Sequence, residues 1–192
     1  MNAPIKPSDL MPQTVEFKLN DQAVKAYEGE TILKAAQRHG VDIPHLCYKD
    51  GLRPDGNCRA CVVEIKGERT LAPSCCRTAT AGLEVLVSDR AVKSQKMVLE
   101  MLLSDMPDTG YKWNDASASA SAAAASPAAA GVGEHGELSD WATRMNVSVR
   151  PELRALRREQ PACDVSHPAM AVNLDACIQC NRCVRACREE QV

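Results

Sequence analysis

Eight of the ten cysteines in this 192-residue chain fall at two spacings that leave few folds open to it. Cys47, Cys58, Cys61 and Cys75 are separated by ten, two and thirteen residues, while Cys177, Cys180, Cys183 and Cys187 follow the pattern C-x2-C-x2-C-x3-C. A disulfide framework is not the expected reading. The opening MNAPIKPSDLMP carries early prolines and no apolar stretch of signal-peptide length, so a cytoplasmic setting is expected. Thiols stay reduced there, and metal ligation becomes the default use of clustered cysteine.

Composition removes other classes. Hydrophobic residues make up 45% of the chain, enough for a core, and 23 Lys plus Arg stand against 25 Asp plus Glu, a net charge of -2 without a nucleic-acid signature. The longest weakly polar run, AAAASPAAAGVG, is mostly alanine, short, and broken by Pro127, so no membrane insertion is expected. The chain carries no GxGxxG fingerprint, no phosphate loop, and no Ser, His and Asp set in a recognisable context, so no catalytic site is expected within it.

Hydrophobic patterning gives an α+β fold. TVEFKL alternates Val15, Phe17 and Leu19 inward, Asn20-Asp21 offers a turn, and QAVKAY returns as the second strand of a hairpin. Thr31 caps a short helix carrying Ile32, Ala35 and Ala36 on one face and ending before Gly40. After a loop dense in Pro, Asp and Gly come the short β-rich segments CVVEI, RTLAP and LEVLV, with a Lys66-Gly67 turn after the first. This order predicts a β-grasp domain over 14–87. A helix over 88–106 follows, begun by Ser88 or Asp89, with Val92, Leu99, Leu102, Leu103 and Met106 at helical spacing. A flexible Ala/Ser linker is expected over 107–136 and short helices over 137–160, where the Arg-rich PELRALRREQ reads as a solvated face. The remainder, 161–192, reads as a partial bacterial-type ferredoxin unit.

The first cysteine set suits a [2Fe-2S] cluster. Four thiolates must converge on two irons, in a loop that lets backbone N–H groups approach sulfur, and Gly51 and Gly56 supply that freedom. Cys75 is chosen over its neighbour Cys76 as fourth ligand because adjacent strand residues point to opposite sides; Cys76 then reads as a buried apolar thiol. Arg53, Arg59 and Arg77 lie near these cysteines in sequence and are candidates to offset cluster charge, and His45 is a candidate hydrogen-bond donor. The second set, in DACIQCNRCVRAC, is the run found in bacterial-type ferredoxins and suits a [4Fe-4S] cluster, with three cysteines on one cube and the fourth directed to a companion. No matching run accompanies it before Val192, so this cluster is expected to depend on the rest of a larger unit. Cys163 and His167 read as ordinary loop residues.

The stretch IPHLCYKDGLRPDGNCRACVVEIKGERTLAPSCC resembles the [2Fe-2S] domain shared by the large iron-sulfur subunit of complex I, hydrogenase diaphorase subunits and NAD-dependent formate dehydrogenase α subunits. The resemblance extends over 14–106, because SQKMVLEMLLSD also resembles the helix that follows this domain in the family. Complex I and hydrogenase relatives carry a His-plus-three-Cys motif after that helix, whereas this chain has no cysteine between Cys76 and Cys163. That difference, with HPAMAVNLDACIQCNRCVRACREEQV, moves the resemblance toward the formate dehydrogenase α subunit. The resemblance implies an electron relay from formate at a molybdenum-pterin centre toward flavin and NAD. The molybdenum site would lie beyond this sequence; the flavin/NAD-binding and small iron-sulfur subunits would be partners. The alternatives are an iron-sulfur subunit of complex I or of an NAD-linked hydrogenase diaphorase, and a zinc-binding structural module, since Cys58-x-x-Cys61 and Cys180-x-x-Cys183 are also zinc-type spacings.

Overall fold

Val15, Phe17 and Leu19 alternate with Glu16 and Lys18, and in the computed structural model they lie on a strand, β1 (Thr14–Leu19), whose inward face is buried from Phe17 onward. The structure describes residues 13–106, 136–159, 164–172, 174 and 177–191; most of the expected linker, and Cys163, lie outside the described residues. The chain forms two compact units, Met1–Ser94 with Arg182–Val192, and Gln95–Asn181.

In the first unit, β1 pairs antiparallel with β2 (Gln22–Tyr27) from Thr14 opposite Tyr27 to Leu19 opposite Gln22, turning at Asn20 and Asp21, both at positive φ. The helix α1 (Ile32–Arg38) follows, with Thr31 as its cap accepting from the Lys34 N–H. Then come β3 (Val62–Ile65), β4 (Ala72–Pro73) and β5 (Glu84–Leu86). The sheet order β2-β1-β5-β3-β4 has β5 parallel to β1, with Leu19 opposite Val85, and antiparallel to β3. This is the β-grasp arrangement expected from the sequence. Phe17, Leu19, Ile32, Leu33, Ala36, Val63, Ile65 and Val85 fill a core between sheet and helix; Cys61 and Cys75 are part of that cluster. The cysteine site is thus built on the edge of the core itself.

Long-range polar contacts fasten the sheet ends. Lys18 and Lys66 both pair with Glu84, at 3.0 and 2.5 Å, and the Asn20 carboxamide accepts from the Val87 N–H. Glu30 accepts from Arg38 Nη2 at 2.6 Å and from the Tyr27 N–H at 2.9 Å, while the Arg38 guanidinium also lies 4.5 Å over the Tyr27 ring. A helix α2 (Asp89–Ser104) begins where the Ser88 hydroxyl accepts from the Ala91 N–H.

In the second unit, the later turns of α2 bury Leu99 and Leu103, and α3 (Glu137–Arg144) buries Leu138 and Ala142. The segment PELRALRREQ departs from expectation. Its helix, α4 (Pro151–Arg154), is a single turn, and Arg154 and Arg158 are half-buried and bonded to the protein rather than solvated; exposed Arg150, just before the segment, is bonded as well. Arg150 gives three bonds to Glu100, from its N–H, Nε and Nη2 at 3.0, 2.8 and 3.2 Å. Arg154 Nη1 donates to the carbonyls of Leu103, Ser104 and Met106, capping the C-terminal end of α2, where a cation opposes the negative end of the helix dipole. A hairpin of β6 (Asp164–His167) and β7 (Met170–Val172) follows, its turn closed by the Ala169 N–H donating to His167 Nδ1. A last helix, α5 (Arg182–Glu189), belongs to the first unit.

Two outcomes follow. Burial opposes ionisation of Glu30, but the Arg38 hydrogen bond, the Tyr27 N–H and the charges of Arg38 and His39 outweigh it and hold the carboxyl below the usual carboxylate range. Its contribution is therefore present above the unfolded-state value of about 4.3 and is lost as pH falls through the lower folded value. Glu30→Gln should destabilise by about 1 kcal/mol at pH 7, a figure reduced by the partial exposure of Arg38, and the difference should disappear once pH has fallen through the folded value, as read by urea unfolding across an acid pH series. Arg154→Ala leaves three carbonyls at the end of α2 without this donor, and should lower stability by about 1–2 kcal/mol in thermal unfolding followed by circular dichroism.

Candidate functional site

The loop between α1 and β3 brings three cysteines to the end of the sheet, and the turn after β4 brings the fourth. Cys47 is buried within it, Cys58 is half-buried, and Cys61 is buried immediately before β3. Cys75 is fully buried. Its segment is tied to the start of α1: the Ile32 and Leu33 N–H groups, unused within the helix, donate to the Arg77 and Ser74 carbonyls at 2.8 and 3.0 Å. Ser74 in turn donates from both N–H and hydroxyl to the Cys61 carbonyl, at 3.1 and 2.7 Å. Helix, turn and strand thus fix Cys61 and Cys75 against one another.

The four thiols meet as a chain. Cys47 reaches both Cys58 and Cys75, and Cys61 reaches Cys75. A run of four sulfurs suits a donor set divided between two metal atoms. Backbone N–H groups point at the sulfurs. The Cys47 N–H donates to Cys58 Sγ at 3.4 Å; the N–H groups of Asn57 and Cys58 lie against the Cys47 sulfur, that of Ala60 against Cys58, and that of Cys75 against Cys61.

Electrostatics follow from this crowding. Hydrogen bonds from Cys58 and then Cys75, aided by the backbone, hold the Cys47 thiol down to about 2 against the opposing effect of burial. The Cys75 bond similarly brings Cys61 down to about 7. The thiols that give those bonds, Cys58 and Cys75, are pushed up, first by the same bonds to Cys47 and next, for Cys75, by that to Cys61. Four sulfurs this close cannot all carry charge unless cations sit among them. The donors therefore fit an iron-sulfur group, which binds thiolate.

Cys76 differs from expectation. It is exposed, with its sulfur 3.6 Å from that of Cys75. Residues 74–76 form a turn rather than a strand, so the alternation of strand side chains does not apply; the turn buries Cys75 and turns Cys76 outward. Gly56, at φ +63°, lies under it, and a Cβ there would meet Cys76 Sγ at 2.9 Å.

Two of the nearby arginines have carboxylate neighbours. Arg77 pairs with Glu68, and Arg53 is exposed, its guanidinium 3.9 Å from Glu189. His45 Nδ1 faces the Ile43 carbonyl at 2.9 Å, and its Nε2 faces Gln37 at 3.4 Å. The groups that do hold the loop come from α5. Arg185, 6% exposed, donates to the carbonyls of Cys47 and Arg53, Arg182 donates to the Leu46 carbonyl at 3.2 Å, and Glu189 accepts from the Arg53 N–H at 2.8 Å. Their spacing of three and four residues was the available signal, since it sets them on one helix face.

Of the second cysteine set, Cys177 and Cys180 are half-buried in a loop, and Cys183 and Cys187 are exposed on α5. Gln179 and Asn181, at φ +54° and +58°, flank Cys180. Arg158 donates to the Leu174 and Cys177 carbonyls at 3.2 and 3.0 Å, and with Leu102, Asp105, Met106, Ile178 and Gln179 it lines a cleft of about 160 Å³ beside Cys177.

Comparison with known proteins matches residues 12–90 to the 2Fe-2S iron-sulfur cluster binding domain family. The chain is 30% identical over 177 residues to the G 2 subunit of NADH-quinone oxidoreductase from Rhizobium meliloti (strain 1021), covering 91% of this chain and 19% of that protein. It is 33% identical over 174 residues to the HndD subunit of the NADP-reducing hydrogenase from Solidesulfovibrio fructosivorans, covering 85% of this chain and 26% of that one. The chain thus spans about a fifth to a quarter of the length of these relatives. A crystal structure of an NAD+-reducing [NiFe]-hydrogenase in the H2-reduced state aligns with a TM-score of 0.68 and 28% identity over 92% of this chain and 67% of that one. Residues 12–90 are therefore a 2Fe-2S iron-sulfur cluster binding domain, through which the chain is homologous to the G-type subunits of NADH-quinone oxidoreductase and to NAD- and NADP-reducing hydrogenases.

Proposed function

We propose that this chain is the iron-sulfur electron-transfer part of a molybdenum-dependent, NAD-linked formate dehydrogenase, in which Cys47, Cys58, Cys61 and Cys75 hold a [2Fe-2S] cluster. The observation that carries the cluster assignment is the continuous run of four thiols, each within reach of the next, inside residues 12–90. When bound, such a cluster supplies a store for one electron at a time. The chain's own residues do the rest: the cysteines bind as thiolates, the N–H groups of Cys47, Asn57, Cys58, Ala60 and Cys75 stabilise charge on sulfur, and burial of Cys47, Cys61 and Cys75 keeps water from three of the four ligands.

Cys177, Cys180, Cys183 and Cys187 are assigned to a [4Fe-4S] cluster. Support comes from their spacing and from the left-handed residues Gln179 and Asn181, which alternate with neighbours of ordinary hand to make a concave backbone of the kind that receives anions and iron-sulfur groups. The formate assignment rests on the sequence between Cys76 and Cys163, which lacks the cysteines of an intervening cluster motif. The matched relatives favour a second reading, an iron-sulfur part of an NADH-quinone oxidoreductase or a hydrogenase. In the first reading the molybdenum-pterin chemistry, and in either reading the flavin and NAD chemistry, belongs outside this chain, with flavin/NAD-binding and small iron-sulfur subunits as partners.

Reduced protein should show the paramagnetic signal of a two-iron cluster. Cys58→Ala should abolish it and Cys76→Ala should retain it; an unchanged signal in the first, or a lost one in the second, overturns the ligand assignment, and a colourless zinc-loaded protein overturns iron altogether. Purified with its co-purifying subunits, the protein should carry iron, sulfide and molybdenum and reduce NAD with formate. Hydrogen- or quinone-linked activity without formate oxidation would select the second reading.

A further inference from the structure

The sequence of α5 interleaves two chemistries, R-C-V-R-A-C, so that Cys183 and Cys187 alternate with Arg182 and Arg185. The cysteines are exposed, whereas Arg185 is buried and Arg182 is half-buried. Arg182, Arg185 and Glu189 stand at i, i+3 and i+7 and so share one face. All three are bonded to one stretch of backbone: Arg182 to the Leu46 carbonyl, Arg185 to the carbonyls of Cys47 and Arg53, and Glu189 to the Arg53 N–H. The two Arg185 bonds bracket residues 47–53, the start of the cysteine loop.

We propose that Arg185 is a positioning residue for the first cysteine site, and that α5, the helix of the second cysteine motif, serves as the clamp that holds the Cys47 end of that loop. This rests on the reading that Cys47, Cys58, Cys61 and Cys75 hold a [2Fe-2S] cluster. A buried guanidinium is costly unless bonded to charged or strongly polar acceptors, and here one of its acceptors is the carbonyl of a ligand residue. Two consequences follow. The planar fork of Arg185 sets the orientation of the Cys47 peptide, a task that a single ammonium performs less well. A fixed positive charge one peptide away from a ligand sulfur favours the more negative, reduced state of a thiolate-bound cluster and so raises its potential. Arg53 and Arg77, closer in sequence, are engaged with Glu189 and Glu68.

The full chain, loaded with iron and sulfide under anaerobic conditions, tests this by redox titration of the reduced two-iron signal by paramagnetic resonance. In Arg185→Gln the midpoint should move to more negative potential with the signal still that of a two-iron cluster, and Arg185→Lys should restore part of the shift. A midpoint in Arg185→Gln equal to that of the unaltered chain overturns the proposal. Hydrogen exchange of the iron-free chain supplies a readout independent of loading: amides of residues 46–57 should exchange about tenfold faster in Arg185→Gln, and unchanged protection there overturns the clamp. Absence of a two-iron signal in the unaltered chain would refute the cluster assignment instead, leaving the exchange measurement to decide the clamp.

Discussion

The organising constraint of the first unit is the mutual repulsion latent in four sulfurs held within reach of one another. Left alone, such a group resolves its crowding by sharing protons, which is why Cys47 and Cys61 are driven toward thiolate while Cys58 and Cys75 are driven away from it. The surrounding backbone is arranged for the fully charged form. Its N–H groups converge on sulfur; the start of α1 anchors the turn at Cys75, and β3 begins at the residue after Cys61. The β-grasp core is the rigid body against which the thiols are pressed together, and its own burial of Cys61 and Cys75 makes packing and ligand placement one problem.

The strands and α1 were legible because their periodicity is local. Phe17 and Leu19 announce β1, and Thr31 and Gly40 announce the ends of α1, through forces acting within a few residues. The four ligand candidates were legible as well, since spacing alone restricts which cysteines a loop can gather. What the sequence concealed is determined across long separations. The turn at 74–76, which turns Cys76 outward, is held by hydrogen bonds to α1 and to Cys61. Arg185 lies 138 residues from Cys47, and its spacing from Arg182 and Glu189 marks a shared helix face without naming the backbone that face meets.

The arginines of the second unit teach the same lesson. Composition suggested a solvated helix, yet Arg154 closes the end of α2, and Arg158 holds the carbonyl of Cys177. A guanidinium offers five donors in a rigid plane, so it can satisfy several carbonyls at a helix end or loop where an ammonium would satisfy fewer. Beside both cysteine sets, arginine serves as a staple for backbone oxygen: Arg182 and Arg185 at the first and Arg158 at the second.

The parallel pairing of β1 with β5 has a consequence in time. Leu19 cannot find Val85 until the chain has been made through Glu84 to Leu86, by which point Cys47, Cys58, Cys61 and Cys75 have all emerged. The sheet therefore closes around a loop that already contains its full complement of sulfur. Closure over so long a separation is slow and costs chain entropy.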